Sequence, residues 1–234
     1  MISTLPKDNS PKDTTNNQPG PTEWGEGRHG VGPWTEEHPG EPLPTDEHYD
    51  PELLASGDRR NVVDKYRYWK RSAIVADLDQ KRHVFHVAIE NFEHDANIGT
   101  IVRTANAFLA EAVHIVGKRR WNRRGAMVTD RYQHIEHHET IEDLLEWAHT
   151  NDYQVVAVDN LPGSVPIETA QLPERAVLLF GQEGPGISDD SRQQADMMVS
   201  IAQFGSTRSI NVGVAGGIIM HTWIRQHANL DDAL

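Results

Sequence analysis

From about residue 84 onward, short apolar runs alternate with longer segments whose apolar residues recur at helical spacing. Short runs that are apolar throughout indicate strands buried on both faces. The predicted strands lie at 84–89, 112–116, 155–158, 176–180 and 197–201. Strands that alternate with helices predict an α/β fold with a mostly parallel sheet covered by helices on both faces.

Three helical segments have informative patterns. At 97–108, residues such as Ile98, Ile101 and Val102 fall on one face, and either Asp95 or Asn97 could cap the start of the helix. At 140–150, a threonine followed by acidic residues marks a helix start. The last helix, at about 209–227, is apolar nearly all round and contains three glycines. Burial on more than one side is therefore expected, and we predict a homodimer formed through this helix.

The N-terminal part of the chain follows neither pattern. Residues 1–60 carry 12 acidic against 5 basic side chains and are rich in proline and glycine. This composition predicts an acidic, disordered or loosely draped tail, although an arm that competes with RNA is an alternative. Residues 61–83 form a basic and aromatic helical lead-in, and 84–234 form the main domain. The KYRYWKR segment at 65–71 suits contacts to single-stranded RNA, or equally an amphipathic helix packed on the core.

Composition and absent motifs exclude several classes of protein. The chain has no cysteine, which excludes disulfides and Cys-type zinc sites. No apolar stretch reaches the roughly 20 residues of a membrane span, so we expect a cytoplasmic protein without a membrane partner. The GxGxxG, P-loop and GxSxG patterns are missing. Although His134, His137 and His138 are close in sequence, a strand would splay them, and no metal site is predicted.

Ligands bind at the carboxyl ends of strands in open α/β sheets, and here glycine-rich polar loops follow the strands at 176–180 and 197–201. A basic segment follows the strand at 112–116 and is the best candidate for RNA phosphate contacts, with a solvated charge run as the alternative. Its basic residues are Lys118, Arg119, Arg120, Arg123, Arg124 and Arg131. Arg103, in the helix at 97–108, should face a cleft or a carboxylate unless it extends to the surface.

Three segments stand in a fixed order: NIGTIVRTANAF at 97–108, LLFGQEGPGIS at 178–188 and SIAQFGSTRSINVGVAGG at 200–217. Together they resemble motifs 1, 2 and 3 of the SpoU/TrmH family of RNA ribose 2′-O-methyltransferases, within the SPOUT superfamily. The resemblance covers about residues 84–226. It implies a Rossmann-like domain with a C-terminal trefoil knot, S-adenosylmethionine as the cofactor and an obligate homodimer.

The resemblance also implies an enzyme that methylates a ribose 2′-hydroxyl of tRNA or rRNA. The alternative is a non-catalytic RNA-binding or regulatory protein that keeps the fold. Asn97 and Arg103 match the Asn and catalytic Arg of motif 1, Glu183 matches the acid of motif 2, and Ser209 and Asn211 match the polar pair of motif 3. The residues that match the cofactor pocket are Gly181, Ile201, Ser209 and Ile210.

A guanidinium stays protonated at working pH, so we expect Arg103 to clamp a phosphate and stabilise the forming alkoxide. Glu183 could orient Arg103 or Asn97, or could merely hold the loops together. The chain departs from the family pattern at four positions. Leu109 stands where glycine is usual, Ala202 and Gln203 replace Pro-Met, and Gly213 replaces a frequent serine.

Overall fold

The computed structural model describes residues 30–93 and 95–233, in two compact units that divide between Tyr68 and Trp69. The first unit contains helices α1 (Trp34–Glu37) and α2 (Pro51–Ser56) and a 3₁₀ turn at Asp64–Tyr66. Helix α2 begins where the Asp50 side chain accepts a hydrogen bond from the Glu52 N–H, at 3.0 Å. Proline at the first helical position favours this start, because an N–H at that position would have no partner within the helix and its loss costs nothing.

This structure corrects the prediction of an irregular tail for residues 30–60, while residues 1–29 lie outside the described chain. The Asp58 side chain is fully buried and pairs with Arg60 at 2.6 Å. Its carboxylate also accepts a hydrogen bond from the Tyr68 N–H at 3.0 Å. Trp34 packs against Tyr68, with ring centroids 5.6 Å apart. A few aromatic contacts around a satisfied buried carboxylate thus provide a core that average composition does not reveal.

The KYRYWKR segment straddles the division between the units. Tyr66 and Tyr68 are 6% and 3% exposed, so these two rings are core residues and are not free to stack on bases. The second unit begins at Trp69 and opens with helix α3 (Arg71–Asp79).

The second unit is built on one seven-stranded sheet in which every strand pairing is parallel. The strands are β1 (His86–Asn91), β2 (Val113–Gly117), β3 (Ile135–His138), β4 (Gln154–Val158), β5 (Val165–Pro166), β6 (Ala176–Phe180) and β7 (Met197–Ser200). Their spatial order is β3-β2-β1-β6-β4-β7-β5. The predicted α/β fold is confirmed. The two-residue β5 was not predicted, because so short a strand carries no periodicity.

Helices cover both faces of this sheet. They are α4 (Ile98–Ala107), α5 (Ile141–Thr150), α6 (Asp189–Gln194) and α7 (Val212–His227). Residues of α4 and α7 join one core cluster and residues of α5 join the other. No helix within the described residues is long and apolar enough to cross a membrane. The trefoil knot stays a prediction.

Candidate active site at the carboxyl edge of the sheet

The three motif loops leave the sheet at the same edge. Strands β1, β6 and β7 end at Asn91, Phe180 and Ser200, and each is followed by one of these loops. Because the strands are parallel, their carboxyl ends lie on one side of the sheet, where β1 and β6 are direct neighbours. Strands β2 and β3 lie on one side of β1, and the later strands lie on the other, so the strand order reverses between β1 and β6. Open α/β sheets bind ligands outside this point of reversal.

Side chains from all three motifs meet at Asn97. The Asn97 amide donates a hydrogen bond to the Glu183 carboxylate of motif 2. Its carbonyl oxygen accepts a hydrogen bond from the Asn211 amide of motif 3 at 3.0 Å. Asn211 in turn caps helix α7, because its side-chain oxygen accepts from the Gly213 N–H at 2.9 Å. One continuous network therefore joins the starts of α4 and α7 to the motif 2 loop.

The motif 2 loop is a tight turn closed by its own backbone. Gln182 and Gly186 exchange hydrogen bonds of 2.9 and 3.0 Å through their N–H and C=O groups. A side chain at Gly181 would place its Cβ 2.1 Å from the Gly186 carbonyl carbon, so glycine is required there. The buried Gln182 side chain also accepts a hydrogen bond from the Phe92 N–H at 3.0 Å, which links this turn to the loop after β1.

The basic segment packs directly on the start of α4. A Cβ on Gly99 would lie 2.6 Å from the Ala126 nitrogen, and one on Gly125 would lie 3.0 Å from the Thr100 nitrogen. The two backbones can approach this closely only because both residues are glycine. The Asn91 amide, at the end of β1, donates to the Arg120 carbonyl at 2.9 Å. The basic segment is thus fixed beside the motif network.

All six predicted RNA-contacting side chains are exposed. Arg123 pairs with Asp130 at 3.2 Å and lies 5.5 Å from the Trp121 ring centroid. Met127 and Val128 adopt positive φ angles of 48° and 72° and are more than half exposed. A valine in this conformation is strained, and strain of this kind is concentrated at functional sites.

Arg103 lies about 1.7 helical turns beyond Asn97, about 9 Å along the axis of α4. Its side chain is exposed and makes no hydrogen bond or ion pair with any described residue. Of the alternatives expected for Arg103, a carboxylate partner is absent among the described residues, and Glu183 is bonded to Asn97 instead. The guanidinium remains available to a ligand.

The motif 3 loop has unused hydrogen-bonding capacity. Ile201 and Ile210 are half-buried, and the exposed Ser209 side chain bonds to no described residue. Within the described chain, residues 203–210 make no backbone–backbone hydrogen bond. The Gln203 side-chain oxygen is buried without a partner. Buried polar groups are normally satisfied, so this loop fits a ligand that supplies donors and acceptors.

Two further carboxylates support the site, and sequence reasoning missed both. Glu90 is fully buried and accepts hydrogen bonds from the Ser188 N–H at 2.9 Å and from the Ser188 and Ser191 hydroxyls. Asp159 accepts from the Ile187 N–H at 3.1 Å. Together they anchor the end of the motif 2 loop. An acid inside an otherwise apolar strand was the available signal for Glu90.

The chain is similar to known RNA-modifying proteins. The SpoU rRNA Methylase family matches residues 84–221. The tRNA (guanosine(18)-2′-O)-methyltransferase of Escherichia coli (strain K12) is 27% identical over 146 residues, which cover 61% of this chain and 64% of that relative. This chain thus spans less than two thirds of that relative's length.

Two solved structures share the fold. A TrmH/SpoU tRNA modifying enzyme of A. aeolicus has a TM-score of 0.59 and 25% identity, covering 67% of this chain and 81% of the other. An AdoMet-bound rRNA methyltransferase from Sinorhizobium meliloti has a TM-score of 0.55 and 28% identity, covering 63% and 59%. With 84–221 matched and the three motifs assembled at one edge, the chain belongs to the SpoU rRNA methylase family.

Proposed function

We propose that this protein is an S-adenosylmethionine-dependent RNA methyltransferase that acts on a ribose 2′-hydroxyl of tRNA or rRNA. The observation that carries the proposal is the meeting of motifs 1, 2 and 3 through the hydrogen bonds of Asn97 to Glu183 and Asn211. Similarity to a tRNA (guanosine(18)-2′-O)-methyltransferase and to an AdoMet-bound rRNA methyltransferase supports the reaction and the cofactor.

The cofactor pocket is assigned to Gly181, Ile201, Ser209 and Ile210. The motif 3 loop offers unpaired backbone groups and the orphaned Gln203 oxygen to a polar ligand. S-adenosylmethionine supplies the electrophilic methyl group on its sulfonium. The protein's own contribution is alignment of the ribose oxygen with that methyl group, and positioning of this kind is worth about 7–11 kcal/mol.

Arg103 is the proposed catalytic residue. Its free guanidinium can bind the phosphate beside the target ribose and stabilise negative charge on the 2′-oxygen as the O–CH₃ bond forms. The hydroxyl proton leaves to a phosphate oxygen or to water, because a guanidinium cannot accept it. The Asn97, Glu183 and Asn211 network acts by holding the loops around this geometry.

The exposed cations of the basic segment are the proposed RNA contacts. The Gly99–Gly125 contact fixes this segment beside the motif network, so bound phosphates would lie next to the methyl-transfer site. An acidic protein can bind RNA when its cations are concentrated in this way.

Assembly and location belong to the same proposal. Helix α7 packs one face on α4 but exposes Val214 and Ile218, which are 55% and 38% accessible. A partly apolar outer face on the helix supports a homodimer through α7. We also propose that the protein has a C-terminal trefoil knot and a cytoplasmic location.

The competing function is RNA binding without catalysis. We expect Arg103→Ala to abolish methyl transfer to RNA while calorimetry shows S-adenosylmethionine affinity close to wild type. Arg192→Ala, which removes an exposed arginine from α6, is the matched control and should keep full activity. Absence of cofactor binding in the wild-type protein would favour the non-catalytic alternative, and full activity of Arg103→Ala would refute the assigned role.

A further inference from the structure

A row of three histidines crosses three neighbouring strands of the sheet. His86 Nδ1 lies 2.9 Å from His114 Nε2, and His114 Nδ1 lies 2.8 Å from His138 Nε2. The three residues stand on the neighbouring strands β1, β2 and β3. The proposed methyl transfer uses none of them.

Strand register explains why this row forms. His114 is paired with Glu136 on β3, and His138 lies two residues further along the same strand. Side chains two residues apart project from the same face, so Glu136 and His138 both flank His114. This is the face that α5 covers, where the Trp147 ring centroid lies 4.3 Å from that of His114. His137 projects from the other face and bonds to the Gly117 carbonyl at 2.7 Å.

We propose that His114 Nδ1, His138 Nε2 and the Glu136 carboxylate form a binding site for a divalent transition-metal ion, with zinc the best match. Their ligand atoms all lie within 4.8 Å of one another. Within the described residues this is the only such group of three or more histidine and acidic side chains. The site is independent of the proposed methyl transfer.

The distances suit a metal after a small adjustment. The Glu136 oxygen lies 3.7 Å from His114 Nδ1. Zinc–nitrogen bonds of about 2.0–2.1 Å in a tetrahedral site place two ligand nitrogens about 3.3 Å apart. The 2.8 Å contact between His114 and His138 must therefore open by about half an ångström. Strand β3 lies at one edge of the sheet, and His138 is only half-buried there.

His86 completes the arrangement around His114. When His114 carries its proton on Nε2, it donates to His86 Nδ1 and leaves Nδ1 free to bind a metal. Metal-bound histidines usually donate their second ring nitrogen in this way, which fixes the tautomer and the ring orientation. The chain thus supplies two neutral nitrogens and one carboxylate, and a water can fill the fourth position on the side of the exposed Glu136.

A bound ion would link edge strand β3 to β2 and stabilise the sheet beneath α5.

Titration of the full-length, untagged and chelator-treated protein with Zn²⁺ tests this site, with Co²⁺ as a spectroscopic probe. We expect one equivalent of Zn²⁺ to bind and to raise the melting temperature. Glu136→Gln and His138→Gln should each weaken binding at least tenfold, because each removes a ligand. His137→Gln is the matched control, since it removes a histidine from the same strand but the opposite face.

The chain contains 13 histidines, so the comparison among variants decides the outcome. Loss of affinity in Glu136→Gln and His138→Gln, with affinity kept in His137→Gln, supports the site. Failure of the wild type to bind would overturn it, as would equal affinities in all variants or an equal loss in His137→Gln. Glu136 is exposed, so its replacement should fold even if His138→Gln does not.

Discussion

Asn97→Asp is the most informative change in the motif network. The substitution keeps the size of the side chain and its ability to accept a hydrogen bond from Asn211. It replaces the amide that donates to Glu183 with an oxygen that carries negative charge. Two carboxylates would then face each other at the point where the three motifs meet.

The cost has two parts. Two unit charges about 4 Å apart repel by about 1 kcal/mol in a water-like dielectric, which applies because Glu183 is exposed and its contact with the half-buried Asn97 is open to solvent. Losing the charge-assisted hydrogen bond adds about 1.5 kcal/mol. If the network holds the cofactor loops, a total of about 2.5 kcal/mol corresponds to about a seventyfold weaker affinity for S-adenosylmethionine.

Calorimetric titration with S-adenosylmethionine measures this effect directly. Combining Asn97→Asp with Glu183→Gln should restore most of the affinity, because the new amide can donate to the new carboxylate. The double-mutant cycle then gives a favourable coupling energy of at least about 1 kcal/mol. Wild-type affinity in Asn97→Asp, or a double variant no better than that single variant, would refute the reasoning.

Three further predictions follow from other contacts. Gly99→Ala should lower the melting temperature by about 3–6 °C, because overpacking costs about 1–3 kcal/mol. Gly125→Ala should lower it by less, because the overlap of an added Cβ is more severe at Gly99. If thermal denaturation gives the reverse order, the packing described is wrong. Arg123→Glu with Arg124→Glu should weaken RNA binding and flatten its salt dependence in filter-binding assays; an unchanged slope removes the segment from the interface. Burial raises the pKa of Asp58, but hydrogen bonds from a neighbouring guanidinium and two backbone N–H groups outweigh burial and lower it. The free energy by which this carboxylate stabilises the fold is therefore fully present above its unfolded pKa of about 3.9 and is lost as the pH falls further. Hydrogen exchange in residues 30–68 should accelerate below that pH, and it should accelerate less in Asp58→Asn.

Sequence patterns predict helix starts well where the capping residues are close together in the chain. Thr140 and Asp143 form the predicted cap of α5, with hydrogen bonds of 3.0 and 3.2 Å to each other's backbone N–H groups. Helix α6 likewise begins at a Ser188 cap. Such caps depend on side chains within three residues of one another, so sequence alone reveals them.

Long-range contacts could not be predicted in the same way. Asn97 occupies the cap position of α4, but its side chain bonds to Glu183 and Asn211, which lie 86 and 114 residues away. The family resemblance predicted which motif residues form the site. It did not predict that Glu183 pairs with Asn97 and not with Arg103, which only the structure shows. The buried Glu90 and the histidine row depend likewise on strand register.

Departures from the family pattern also acquire physical reasons. Leu109 has a φ of 53°, in the left-handed region that favours the glycine usual at this position. Gly213 replaces a frequent serine, and a Cβ there would lie 2.8 Å from the Thr100 methyl group. Leu109 therefore strains the turn after α4, whereas Gly213 permits the close packing of α4 on α7.

The central claim is methyl transfer to a ribose hydroxyl at the convergence of the three motifs. The most direct measurement incubates the protein with S-adenosylmethionine and separated tRNA and rRNA, digests the RNA to nucleosides and identifies the products by mass spectrometry. We predict a 2′-O-methylated nucleoside that disappears with Arg103→Ala. A base-methylated nucleoside, or no methylated product from either RNA pool, would contradict the account.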